Sequence, residues 1–193
     1  GNPETPKQIS HVYNYFVFFS LIIYLILALY TSELFSIISD SVYEKGSTVV
    51  VFLVPSILFS QMYVFCPGLS IARKTFIIFL INFCGCVVNT VLNYFLIREF
   101  SIEGAGIATL ISSLVVFITF YLFSQKYYNI QFDWHKIIVV WSLTILIIIL
   151  SSLYTSDSYF VTQLSKIMVF PIFIVACLYL KLINIKDLIS IKD

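Results

Sequence analysis

Charge is what this sequence has least of. Only 11% of its 193 residues are Asp, Glu, Lys or Arg, against 60% hydrophobic. A mean hydropathy of +1.00 leaves too little polar surface to keep a domain in water. That excludes a soluble globular protein and points to an integral membrane protein. The 11 basic residues are scattered and nearly balanced by 10 acidic ones, so no nucleic-acid partner is expected. Histidine is scarcer still. His11 and His135 both sit at the ends of apolar runs, which provides no buried proton relay. Cys66, Cys84, Cys86 and Cys177 form no CxxC pair, and no histidine or carboxylate lies near Cys84-Gly85-Cys86 to complete a metal site. They read as small apolar filler. No spacing resembles a catalytic triad, a metal centre or a pair of acid/base carboxylates, so the expectation is a protein that is not an enzyme and carries no metal or cofactor.

The chain also lacks an initiator methionine, opening on Gly1-Asn2-Pro3-Glu4. Its first apolar run is too long for a signal-peptide core and has no small-residue cleavage pattern after it. The expectation is a piece of a longer polytopic protein.

What is there is apolar length. Phe76–Ile97 and Gly104–Phe123 are each long enough to cross a hydrocarbon layer of roughly 30 Å, which takes about 20 helical residues. The polar joint Arg98-Glu99-Phe100-Ser101-Ile102-Glu103 allows only a tight return between them. Before this pair come a span at Val12–Tyr30 and one at Thr48–Leu69. After it come Ile137–Leu153 and Phe160–Ile183. The expected fold is therefore all-α, with six transmembrane helices in one bundle over residues 1–193. Pro55 and Pro67 should kink or break the second span, because proline removes a backbone donor, and Pro171 should kink the sixth. The acidic and apolar stretch Thr31–Gly46 fits a short helix lying in the interface. Gln125–Lys136, with Tyr127, Tyr128 and Trp134, reads as a loop in the headgroup layer, and Tyr154–Tyr159 as a turn.

The basic residues test the count of six. The amino-terminal flank, the second and fourth loops and the tail hold Lys7, Arg73, Lys74, Lys126, Lys136, Lys181, Lys186 and Lys192; the other loops hold only Lys45 and Arg98. This is a positive-inside asymmetry, and it places both termini in the cytoplasm.

Several residues stand out from the apolar background. Asn82, Asn89 and Asn93 fall seven and four residues apart, so their amides share one helix face. A lipid-facing amide is costly, so that face looks into protein or water. Two readings stay open: interhelical amide bonding or the wall of a hydrated substrate pathway. Lys166, with Gln163 one turn before it, lies roughly 9 Å inside the sixth span at 1.5 Å per residue. Either its butyl chain snorkels to the interface or it faces a cavity as a counter-charge for an anionic substrate. Arg73 and Lys74 are topology determinants or contacts for a phosphate on the cytoplasmic side. Gly104, Gly106 and Ala108 open the fourth span with small side chains that permit close helix packing. Gly104-Ala105-Gly106 is not a nucleotide fingerprint, since no strand precedes it.

The run from Asn89 to Thr109 resembles a pattern of bacterial polysaccharide flippases, N-x-x-L-N-x-x-L-I-P-x-F-G-I-x-G-A-A-I-A-T. Asn89, Leu92, Asn93, Leu96, Ile97, Phe100, Ile102, Gly104, Ala105, Ile107, Ala108 and Thr109 match it. Arg98 replaces the usual proline, Ser101 the usual glycine and Gly106 the second alanine. Ser124-Gln125-Lys126-Tyr127-Tyr128 is similar to the segment that commonly follows. These flippases belong to the multidrug/oligosaccharidyl-lipid/polysaccharide exporter superfamily. The resemblance implies the carboxy-terminal half of a MATE-like transporter of about twelve helices in two bundles, its partner the amino-terminal half of the same protein. It implies translocation of an undecaprenyl-pyrophosphate-linked oligosaccharide across the bacterial cytoplasmic (inner) membrane by alternating access, for O-antigen, capsule or exopolysaccharide synthesis. A proton or sodium gradient as the drive and polymerases of the polysaccharide pathway as partners belong to the same implication. On that reading Lys166 is the cationic candidate, Asn82, Asn89 and Asn93 the polar wall, and Arg73 and Lys74 the first cytoplasmic contact. The alternatives are a cation-coupled multidrug or metabolite exporter of the same superfamily and a non-transporting membrane scaffold.

Overall fold

A computed structural model of the chain describes residues 4–38, 47–153 and 159–182. The regular structure among them is helical. Helix α1 is Thr5–Ile38 and α2 is Ser47–Gln61, which tightens into a 3-10 turn at Met62–Phe65. A short α3, Gly68–Ile71, follows, then α4, Thr75–Gln125, α5, Trp134–Leu153, and α6, Tyr159–Tyr179. Five of these stretches are long and apolar enough to cross a membrane: Thr5–Phe35, Thr48–Phe65, Thr75–Gln125, Trp134–Leu153 and Phe160–Tyr179. The protein is an all-α, multi-span integral membrane protein.

The 51 residues of α4 would extend roughly 76 Å if straight, more than twice the hydrocarbon thickness. The helix is not straight. Ser101 adopts φ 53 and ψ −129 while its neighbours stay helical, so one residue makes the tight return expected of the Arg98–Glu103 joint. The two limbs, 75–100 and 102–125, run back along each other. Asn89 reaches Thr109 and Ser112, and a Cβ built on Gly85 would overlap Val116. The pairs 85/116 and 89/112 are both centred on the 100–101 step. Among the described residues, five helices long enough to span thus provide six apolar segments of spanning length.

Two compact units divide the chain: Gly1–Lys7 with Tyr30–Gln131, and Gln8–Leu29 with Phe132–Asp193. In the first unit α2 lies along α4. Gly106 makes the approach close, since a Cβ there would stand 3.0 Å from Val49 and 3.2 Å from Phe52. Phe59 stacks on Phe117 and Tyr63 tilts onto Phe120, at centroid distances of 6.1 and 5.7 Å. The second unit is built on an apolar face of α1, Tyr13, Val17, Leu21, Tyr24 and Leu25, all buried. Buried Ile137, Val140, Thr144 and Ile148 repeat at helical spacing on α5, and Phe173 and Cys177 are buried on α6. Phe18 stacks on Phe173 at 6.4 Å and Tyr13 meets Phe132 edge-on at 4.7 Å.

The break expected in the second span falls at Cys66-Pro67 rather than at Pro55, which stays buried inside α2. The backbone groups freed there are taken up by one hydroxyl. Ser124 Oγ donates to the Cys66 carbonyl and accepts from the Gly68 N–H, both at 2.8 Å. This satisfies, from a neighbouring helix, what an apolar medium cannot. Gly68 is required, because a Cβ there would overlap the Ser124 carbonyl. A left-handed Arg73, φ 54, then turns the chain into α4.

Three boundaries differ from expectation. No interfacial helix starts at Thr31: residues 31–38 continue α1, since neither glycine nor proline interrupts them. The rest of that stretch lies outside the described residues. Trp134–Lys136 belong to α5 rather than to a loop, with the Ile137 N–H bonded to the Asp133 carbonyl at 3.2 Å and Lys136 paired to the Asp133 carboxylate at 2.8 Å. The sixth helix ends at Tyr179, where Lys181 turns left-handed at φ 51. Pro171 is exposed inside it. The turn expected at Tyr154–Tyr159 lies outside the described residues except for Tyr159, which opens α6.

Candidate functional site

The first unit carries an open groove of about 360 Å³ between α2 and the two limbs of α4, mostly apolar in surface but set with small polar side chains. Its α2 wall is Ser56, Ile57 and Ser60. The 75–100 limb adds Asn82, Gly85, Cys86 and Asn89, and the 102–125 limb adds Thr109, Ser112, Ser113 and Val116. Ser56 and Ser112 are buried at its back, while Ser60, Asn82 and Cys86 are exposed at its mouth.

The asparagine face of the sequence reaches this groove in two different ways. Asn89 is structural glue as well as lining: its Nδ2 donates to Ser112 Oγ at 3.0 Å and makes a longer contact of 3.5 Å to Thr109 Oγ1. Asn93 Nδ2 donates to Asn89 Oδ1 at 2.9 Å, and the Asn93 Oδ1 is enclosed without a hydrogen bond. Asn93 does not line the groove. Asn82 bonds only its own helix, through the Ile78 carbonyl at 2.8 Å, and stays exposed.

Lys166 and Gln163 sit half-buried on α6 in the other unit and are not groove lining. Arg73 and Lys74 are exposed beside the start of α4, with Lys74 Nζ 5.9 Å from the Tyr127 ring centroid. Lys126 Nζ lies 4.9 Å from the Phe123 ring, so basic residues from 73–74 and 126 meet at one end of the hairpin. At the other end Arg98 lies over Tyr94 at 3.9 Å. Gly104, Gly106 and Ala108 are all buried, as close packing requires. Among the described residues no three His, Cys, Asp or Glu come together in a metal-binding group.

Sequence reasoning missed the serines. Ser56 and Ser60 are four apart on α2, and Thr109, Ser112 and Ser113 recur at three and four. Helical spacing of small polar residues inside two apolar runs was the available signal.

Against known proteins, no family model, no curated protein and no solved structure matches this chain. The fold and the groove define the class: a multi-span α-helical membrane protein consistent with a membrane transporter.

Proposed function

We propose that this chain is one bundle of a transporter that moves a lipid-linked oligosaccharide across the bacterial cytoplasmic membrane. Its substrate is an undecaprenyl-pyrophosphate-bound repeat unit, and both its termini are cytoplasmic. The observation that carries this reading is the groove. Five hydroxyl and two amide side chains gather in one open, mostly apolar groove between apolar spans, with no charged side chain among its lining, in the size range of ligand sites. Own-helix bonding makes each hydroxyl tolerable anywhere; their gathering with Asn82 and Asn89 in one groove is what suits a hydrophilic cargo. The resemblance of residues 89–130 to polysaccharide flippases covers the 102–125 limb of this groove and the end of the 75–100 limb, and supports the same cargo. Lys166 serves as a cationic contact for the pyrophosphate, and Arg73 and Lys74 as its first cytoplasmic contact.

The test is reconstitution of the full-length protein in vesicles and measurement of leaflet-to-leaflet movement of a fluorescent lipid-linked oligosaccharide. Movement is expected, with a reduced rate in Lys166→Ala. Efflux of small organic cations with no movement of any lipid-linked sugar would overturn the proposal.

A further inference from the structure

Three cations gather at one end of the α4 hairpin without a counter-charge. Arg73 and Lys74 are exposed just before its first limb, and Lys126 is exposed just past its second. Lys74 Nζ lies 5.9 Å from the ring of Tyr127, the neighbour of Lys126. Among the described residues none of the three makes an ion pair. Like charges held close repel, so this end of the hairpin suits an anion from outside.

The backbone beneath them is braced. The Arg73 and Lys74 N–H groups donate to the Ser70 and Leu69 carbonyls at 3.1 and 2.9 Å, and the Tyr127 and Tyr128 N–H groups both donate to the Ser124 carbonyl at 3.0 Å. Gln125 closes the loop after Lys126. Its Oε1 accepts from the Ile130 N–H and its Nε2 donates to the Ile130 carbonyl, both at 2.9 Å. The Ser124 hydroxyl, bonded to Cys66 and Gly68, joins the two segments. The charges therefore project from a fixed platform, which lowers the cost of ordering them around a ligand.

Depth decides which anion. The limbs have 26 and 24 residues, whereas about 20 cross the hydrocarbon, so their ends reach the headgroup layer. Exposed apolar side chains adjoin the charges on both segments, Ile71 and Phe76 beside Arg73 and Lys74, and Leu122 and Phe123 beside Lys126. Along the first limb Phe76, Phe79 and Phe83 form an exposed stripe, stacked ring on ring at 6.5 and 5.9 Å. A soluble phosphate gains nothing from that surface. A phospholipid does, because its headgroup and its chains are one molecule.

We propose that Arg73, Lys74 and Lys126 bind the phosphate of an anionic phospholipid whose acyl chains lie along Phe76, Phe79 and Phe83. The site needs the membrane-spanning hairpin and not the transporter reading; a substrate phosphate reaching Arg73 and Lys74 would have to displace this lipid.

Native mass spectrometry of the full-length protein in detergent, titrated with dioleoyl phosphatidylglycerol or dioleoyl phosphatidylcholine, reads the bound lipid directly. Phosphatidylglycerol is expected to bind several-fold more tightly. Arg73→Gln, Lys74→Gln and Lys126→Gln should each weaken it about fivefold, the contribution of one basic residue at a lipid surface. Lys136→Gln is the control and should leave binding unchanged, since that cation is already paired to Asp133. Lys74→Arg combined with Lys126→Arg should retain binding, which separates lost charge from a damaged hairpin. An excess of inorganic phosphate should not displace the lipid. Equal binding of the two lipids, an equal loss in Lys136→Gln, or loss in the arginine variant would each overturn the proposal. Displacement by inorganic phosphate would overturn it in favour of a site for free anions. Because binding is read without transport, a failed transport assay would refute the transporter reading alone.

Discussion

Ser101 holds φ 53 and ψ −129, the first corner of a type II′ turn, where glycine is the residue that fits without a Cβ penalty. A serine held there costs about 1–3 kcal/mol. The cost is tolerated because the limbs on either side are tied by Asn89 to Ser112, with Asn93 on the same limb bonding the Asn89 amide oxygen. Ser101→Gly should therefore raise stability by about 1 kcal/mol, after allowing for glycine's extra freedom in the unfolded chain. The readout is the midpoint of thermal or SDS unfolding in detergent. An unchanged or lower midpoint would mean that the return is not built on a strained residue. The same geometry gives a reason for the glycine usual at this position in the polysaccharide flippases that the run resembles.

At the scale of the element, the hairpin of α4 closes because Gly85 lets the second limb approach. A Cβ on Gly85 meets the Val116 side chain, whereas one on Gly68 meets the Ser124 backbone carbonyl. A side chain can be shortened and a backbone cannot. Gly85→Ala should destabilise by about 1–3 kcal/mol, as overpacking does, and Val116→Ala should restore most of that loss. Gly68→Ala should cost more and be rescued by no change at Val116. A double-mutant cycle in SDS unfolding separates these outcomes; equal rescue of both glycine variants would contradict the packing. The long apolar spans, the tight return and the inward turn of Asn89 were legible in the sequence for one reason. An amide or a run of charge in an apolar stretch has few places it can go. The serine wall was not legible, because a serine that bonds its own helix loses most of its polar cost and is tolerated on any face. The extension of α1 past Tyr30 was hidden for the opposite reason. Glu33 in residues 31–38 suggests an interface, but nothing in that stretch stops a helix that is already growing. The sequence also left Lys166 and the asparagines as candidates for one pathway; the structure places them in different units.

At the scale of the whole molecule, the limbs of 26 and 24 residues on either side of Ser101 extend roughly 39 and 36 Å, enough to cross a 30 Å hydrocarbon layer twice. The ends of this hairpin differ in charge. Arg73, Lys74 and Lys126 gather at the open end, while the tip carries Arg98 with Glu99 and Glu103. Loops of opposite sidedness are expected to divide basic residues in this way, with the richer side in the cytoplasm. Single cysteines placed at Glu99 and Lys126 on a background without native thiols test this in right-side-out cells with a membrane-impermeant maleimide. Glu99→Cys should label in intact cells and Lys126→Cys only after permeabilisation. Labelling of both from outside would mean that α4 does not cross as two limbs. The reverse pattern would keep the two crossings and invert the chain, placing the basic end outside. A phosphate-bearing substrate arriving from the cytoplasm would then first meet the acidic tip instead of three cations. The orientation of the hairpin thus decides whether Arg73 and Lys74 can be a point of entry.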